Sequence, residues 1–235
     1  MASLSSTVTD SALSEAKSTL STKLAAEALG SCLLVACVVG SGIMAWRLAD
    51  GNEALALLCN TAATGTMLFV LITIFGPVSG AHFNPAVTLA SVLQKQLVWR
   101  QAAAFASAQF FGAICGTWLA HAMFDEPVLQ MSSKLRDGPG QFLSEFVATF
   151  GLVLTIALTS RHRTALVASA VACYISAAYW FTASTSFANP AVTVARMLSD
   201  SFAGIAMSSV PYFIAAQIFG ASAAVVFDRI AFARQ

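Results

Sequence analysis

Asn84-Pro-Ala-Val-Thr-Leu-Ala90 returns later in the chain as Asn189-Pro-Ala-Val-Thr-Val-Ala195, and the two copies set the terms on which every other segment is read. Asparagine is a strong helix N-cap, because its side-chain oxygen accepts from backbone N–H groups left over in the first turn. Proline fits the first helical position, where no N–H is needed. A single Asn-Pro-Ala is an ordinary capped helix start. Here each copy heads an apolar segment only about ten residues long (84–93 and 189–198), half of the ~20 residues that a membrane crossing requires. Such a segment enters a bilayer without crossing it. Its non-helical backbone is tolerated at that depth only where protein or a water-filled cavity surrounds it. Two such segments imply a pore.

Outward from the motifs, six apolar stretches are long enough to span: about 23–47, 53–76, 98–123, 140–160, 165–183 and 206–228. Further pairs of segments match. Ala108-Gln-Phe-Phe-Gly-Ala answers Ala216-Gln-Ile-Phe-Gly-Ala, and Ala26-Glu27 answers Ser144-Glu145, each pair before an apolar run. The chain therefore divides into a flexible cytoplasmic lead (1–21), a first repeat (22–123), an extracellular connection (124–139) and a second repeat (140–235). Three spans per repeat is an odd number, so the second repeat sits upside down relative to the first. The motifs then enter from opposite faces and meet at mid-membrane.

Composition agrees with lipid as the solvent: 57% of the 235 residues are hydrophobic, 10% are charged, and the mean hydropathy is +0.76. A net charge of +1 without a basic run excludes nucleic acid as a partner. The five cysteines stand singly in apolar segments, without zinc or disulfide spacing, and His82, His121 and His162 are mutually isolated. Neither a metal nor a cofactor is expected. With the N-terminus in the cytoplasm, Lys17, Lys23, Lys95, Arg100, Arg161, Arg163, Arg229 and Arg234 face inward, against Arg47, Lys134, Arg136 and Arg196 outside. That bias places both termini inside. Trp46 and Trp99 stand near span ends, as interfacial anchors do.

Each capping asparagine keeps a side-chain NH₂ to present to the pore. Pro85 and Ala86, like Pro190 and Ala191, hold the junction thin. The half-helices aim their N-termini, each carrying about half a positive charge, at one point and so repel cations there. The stretched loops before the motifs, Gly80-Ala81-His82-Phe83 and Thr185-Ser186-Phe187-Ala188, present carbonyls to passing solutes.

Ser79-Gly-Ala-His-Phe-Asn-Pro-Ala-Val-Thr88 resembles the first signature of the aquaporin and aquaglyceroporin family, and the likeness runs from about residue 22 to 230. It implies an all-α membrane protein, an aquaporin-like right-handed bundle of six spans and two re-entrant half-helices, assembled as a homotetramer in a cell (inner or plasma) membrane. Half-helix dipoles exclude cations and protons in such pores. Glu27 and Glu145 match glutamates that support the re-entrant loops, a structural task rather than proton relay. Positions lining the family's narrow filter fall, by counting from the asparagines, on Thr64, Ala177, Ser186 and Val192. Most members carry Arg at the last of these. Its loss removes a charge, a fork of donors and volume, so the filter is expected to be wide and neutral.

The small, Arg-free set resembles a bacterial branch associated with arsenic resistance, which implies water, glycerol and arsenite-type metalloid hydroxides as small neutral solutes. Arg196, one turn beyond Val192 on the same helix face, is a candidate for moving the missing charge to a wider outer mouth, or alternatively for pairing with Asp200 or simply snorkelling to the interface. A secondary transporter with broken helices is the rival reading, but it calls for an ion-coupling carboxylate beyond the two supporting glutamates. No nucleophile, base and acid converge as an enzyme would require.

Overall fold

A computed structural model describes residues 18–232. The expected lead at 1–21 lies mostly outside them, as do Lys17 and Arg234. At 18–21 the expectation needs correcting: the first helix, α1 (Leu20–Leu48), already starts at Leu20, where the Thr19 side chain caps it by accepting from Thr22 N. Then follow α2 (Glu53–Ser79), α3 (Pro85–Leu93), α4 (Trp99–Met123), α5 (Pro139–His162), α6 (Val167–Phe181, entered by a 3₁₀ turn), α7 (Pro190–Met197) and α8 (Val210–Phe232). Six of these are long and apolar enough to cross a membrane, and α3 and α7 are too short. The expected fold class is present, with span ends shifted by a few residues.

Packing repeats between the halves. Helix α1 lies on α4 and α2 as α5 lies on α8 and α6, while each half-helix packs on its own half's last helix and also crosses over, α3 to α8 and α7 to α4. Glycines permit the closest crossings. A Cβ on Gly112 would overlap the Ala28 carbonyl oxygen, one on Gly116 would overlap that of Cys32, and in the second half one on Gly220 would come within 2.5 Å of Phe146 O. Large apolar side chains such as Leu29, Phe111, Phe219 and Ile230 point outward, as lipid contact favours. Outward hydroxyls are satisfied within their own helices: Thr66 bonds Ala62 O, Thr73 bonds Phe69 O and Ser107 bonds Ala103 O.

The α1–α4 crossing generates a stability prediction. Gly112→Val forces the helices apart and should destabilise the protein by about 3 kcal/mol or more, read as a lower unfolding temperature in detergent. Gly140→Ala, where nothing lies within 4 Å of the new methyl, should stay within about 0.5 kcal/mol of the parent.

Candidate pore site

Both asparagines cap as their sequence suggests. Asn84 Oδ1 accepts from Ala86 N (2.8 Å), and Asn189 Oδ1 accepts from Ala191 N (2.9 Å) and Val192 N (3.3 Å). Their amide nitrogens do something more specific than facing a pore. Asn84 Nδ2 donates to Ala188 O (2.7 Å) and Asn189 Nδ2 to Phe83 O (2.8 Å), so each motif clamps the loop leading into the other. One N–H of each amide remains for the cavity that both side chains line.

The two loops share one unusual backbone. Gly80, Ala81 and Phe83 have φ of 93°, 50° and 50°; Thr185, Ser186 and Ala188, at the same offsets from their asparagine, have 61°, 50° and 48°. Non-glycine residues in this region cost of order 1–3 kcal/mol each, so surrounding contacts must enforce them. Glu27 and Glu145, both fully buried, supply those contacts. Glu27 accepts from His82 N (3.0 Å), Phe83 N (2.7 Å), Ser79 Oγ (2.6 Å) and Gln109 Nε2 (2.7 Å). Glu145 accepts from Phe187 N (2.8 Å), Ala188 N (2.8 Å) and Gln217 Nε2 (2.6 Å). Gln109 and Gln217 extend each network to Thr88 and Thr193, which bond back to the carbonyls of Asn84 and Asn189.

A cavity of about 610 Å³ runs from Gln96, Ser160 and Thr164, past Asn84 and Asn189, to Thr64, Ser186, Val192 and Arg196. Gly80, Ala81, His82 and Phe187 line it, and Leu34, Val38, Leu68, Ile72, Leu152 and Ile175 make its apolar side. Four expectations need correction. Ala188 is buried against Val87 and Tyr179 and does not line the cavity. Ala177 is exposed on the outer face of α6; Tyr179, two residues on, lines the cavity instead and donates its hydroxyl to Thr64 Oγ1 (3.3 Å). The wall at this end is therefore neither as wide nor as neutral as counting suggested. Finally, Arg196 does not sit in an open mouth or pair with Asp200, whose carboxylate accepts from Ser133. It is 2% exposed, its Nε donates to Ala203 O, and its guanidinium carbon lies 3.4 Å from the centre of the Phe187 ring.

Two polar atoms at this end have no hydrogen-bond partner among the described residues: Ser186 Oγ and Arg196 Nη1. Buried polar atoms left single cost about 1–3 kcal/mol, and both belong to residues that line the cavity. Spacing from the asparagines named Ala177 and missed Tyr179, and it gave no sign that Arg196 would be enclosed; these are the two gaps in the sequence reading of this end. The helical stripe Val171, Ile175, Tyr179 on α6 would have found Tyr179.

The family model for the major intrinsic protein family matches residues 14–181. The chain belongs to that family. It is 55% identical over 210 residues to the aquaglyceroporin AqpS of Rhizobium meliloti, covering 89% of this chain and 90% of that protein. Against aquaporin NIP2-2 of Zea mays it is 30% identical over 221 residues, covering 91% and 72%. The X-ray structure of the aquaglyceroporin from Plasmodium falciparum shares the fold, with a TM-score of 0.71 at 17% identity, covering 91% of this chain and 97% of that one. This is a membrane channel of the aquaporin and aquaglyceroporin type, whose members pass small neutral solutes, and not an enzyme.

The carboxylate anchors generate the next prediction. In Glu145→Gln an amide NH₂ replaces one acceptor oxygen and faces donors, which should cost about 1–3 kcal/mol and lower the unfolding temperature in detergent. Glu27→Gln should do the same, since its oxygens hold the equivalent N–H groups.

Proposed function

We propose that the chain forms a passive pore for small uncharged hydroxylated solutes: water, glycerol and arsenite-type metalloid hydroxides. The observation carrying this reading is one continuous cavity that sets the polar residues Asn84, Asn189, Thr64 and Ser186 against the apolar Leu34, Val38, Leu68 and Val192. A polyol offers hydroxyls to the former and carbon to the latter, replacing its lost hydration on one side only. Thr64, Tyr179, Ser186, Val192 and Arg196 are the filter in this reading, with Arg196 replacing the charge that Val192 lacks. The one free N–H on each of Asn84 and Asn189 serves the solute at mid-pore, and Pro85, Ala86, Pro190 and Ala191 form the helix tips beside it.

The resemblance to AqpS, whose name gives it as an aquaglyceroporin, supports the glycerol-sized solute class. Among the described residues no Asp or Glu lines the cavity, which disfavours a carrier that couples solute to an ion. The Lys/Arg bias supports both termini in the cytoplasm of a cell with the channel in its inner or plasma membrane. Outward apolar faces on the spans suit a homotetramer in the bilayer.

Stopped-flow light scattering on proteoliposomes tests this with water, glycerol, urea and arsenite in parallel. Protein-containing vesicles should shrink and reswell faster than empty ones with glycerol, without saturation; equal rates would sink the reading. Tyr179→Ala should raise flux of the largest solutes most, and Val192→Arg, which adds a second guanidinium beside Arg196, should reduce theirs first.

A further inference from the structure

Arg136 belongs to neither repeat. It lies in the connection between α4 and α5, yet it is 8% exposed and lodged beside the second motif. Its Nε donates to Gly204 O (2.8 Å), its Nη1 to Ser184 O (3.2 Å), and its backbone N to Ser209 Oγ (3.2 Å). Ser184 precedes the strained Thr185-Ser186 pair, and Gly204 follows Ala203, whose carbonyl holds Arg196. The Arg136 guanidinium carbon is 5.0 Å from the centre of the same Phe187 ring that Arg196 covers.

Two buried cations thus share one aromatic ring. Neither has an ion-pair partner: within the described residues the ion pairs are Arg47–Glu126 and Arg161–Asp228. Glu145, the carboxylate that favours the charge of Arg136, is itself occupied by Phe187 N, Ala188 N and Gln217. Lys134 stands beside them, with Glu53 acting on it, and Tyr179 is the other titratable group that favours the charges of Arg136 and Arg196. Burial lowers the pKa of Arg136 to about 10, with Glu145 opposing, so the group stays protonated at neutral pH. Arg136 does not line the cavity, so its influence on a solute is through its field.

We propose that Arg136 is a second element of the channel's cation barrier. It is a guanidinium carried by the connection between the repeats that, with Arg196, makes the end of the cavity near Ser186 and Phe187 electropositive. This rests on reading the cavity as a solute pore. A unit charge held in a poorly screened interior acts on another charge over such distances far more strongly than in water, whereas neutral solutes meet only the weaker, shorter-ranged charge–dipole interaction. Arg136 is therefore a determinant of charge selectivity rather than of solute flux.

The test pairs glycerol flux with sodium and proton leak in the same proteoliposomes under an imposed potential. Arg136→Gln keeps an amide donor and loses the charge; it should leave glycerol flux within about twofold and raise the cation leak roughly tenfold. Arg136→Lys keeps the charge and should restore the low leak. A leak unchanged in the Gln variant, or equally raised in the Lys variant, overturns the proposal while glycerol flux persists. A wild-type protein that passes no glycerol overturns the pore reading and this proposal with it.

Discussion

Backbone N–H groups at membrane depth must find acceptors, and a loop that re-enters a bilayer has no helix ladder to supply them. In this chain one carboxylate per half takes the load. Glu27 and Glu145 each receive the two consecutive N–H groups just before an asparagine, together with a glutamine amide. A buried carboxylate is costly unless hydrogen bonds satisfy its oxygens, and these are satisfied. Their grip enforces the left-handed residues of both loops, and that backbone turns Phe83 and Ala188 so that their carbonyls meet the opposite asparagine. Remove the carboxylates and the capped helix tips lose their alignment.

Charge in the pore region follows from the same geometry. Half-helix N-termini contribute partial positive charge at the asparagines. Beyond them Arg196 leans on Phe187 within the cavity wall, and Arg136 approaches the same ring from outside it. Positive potential is thereby spread along one half of the passage rather than concentrated on a single guanidinium at position 192. A ring face is a suitable platform for this, because its quadrupole offsets part of the cost of burying a cation.

Periodic features were legible in the sequence. Repeat copies at Asn84 and Asn189, at Gln109 and Gln217 and at Glu27 and Glu145 fixed the order of spans and half-helices, because lipid leaves so few backbone solutions. What depended on helix phase and on neighbouring turns was harder. Counting back from Asn189 reached Ala177, but the phase of α6 turns Val171, Ile175 and Tyr179 to the cavity and Ala177 away from it. Arg196 shares its helix face with Val192 as helical spacing implied. Its enclosure arises from Ala203 and Phe187, which belong to other turns of chain. Arg136 has no local signature at all; only the folding of the connection onto the Ser184 and Gly204 carbonyls gives it a place.

The crossed clamp between motifs also bears on how such a molecule is made. While the first half alone has left the ribosome, Asn84 has no Ala188 carbonyl to grasp and Phe83 O has no amide to answer it. A nascent first half is thus an unfinished object at membrane depth, held by Glu27 but open on one side. Completion waits for the second half, which brings the Ala188 carbonyl and the Asn189 amide that close the clamp.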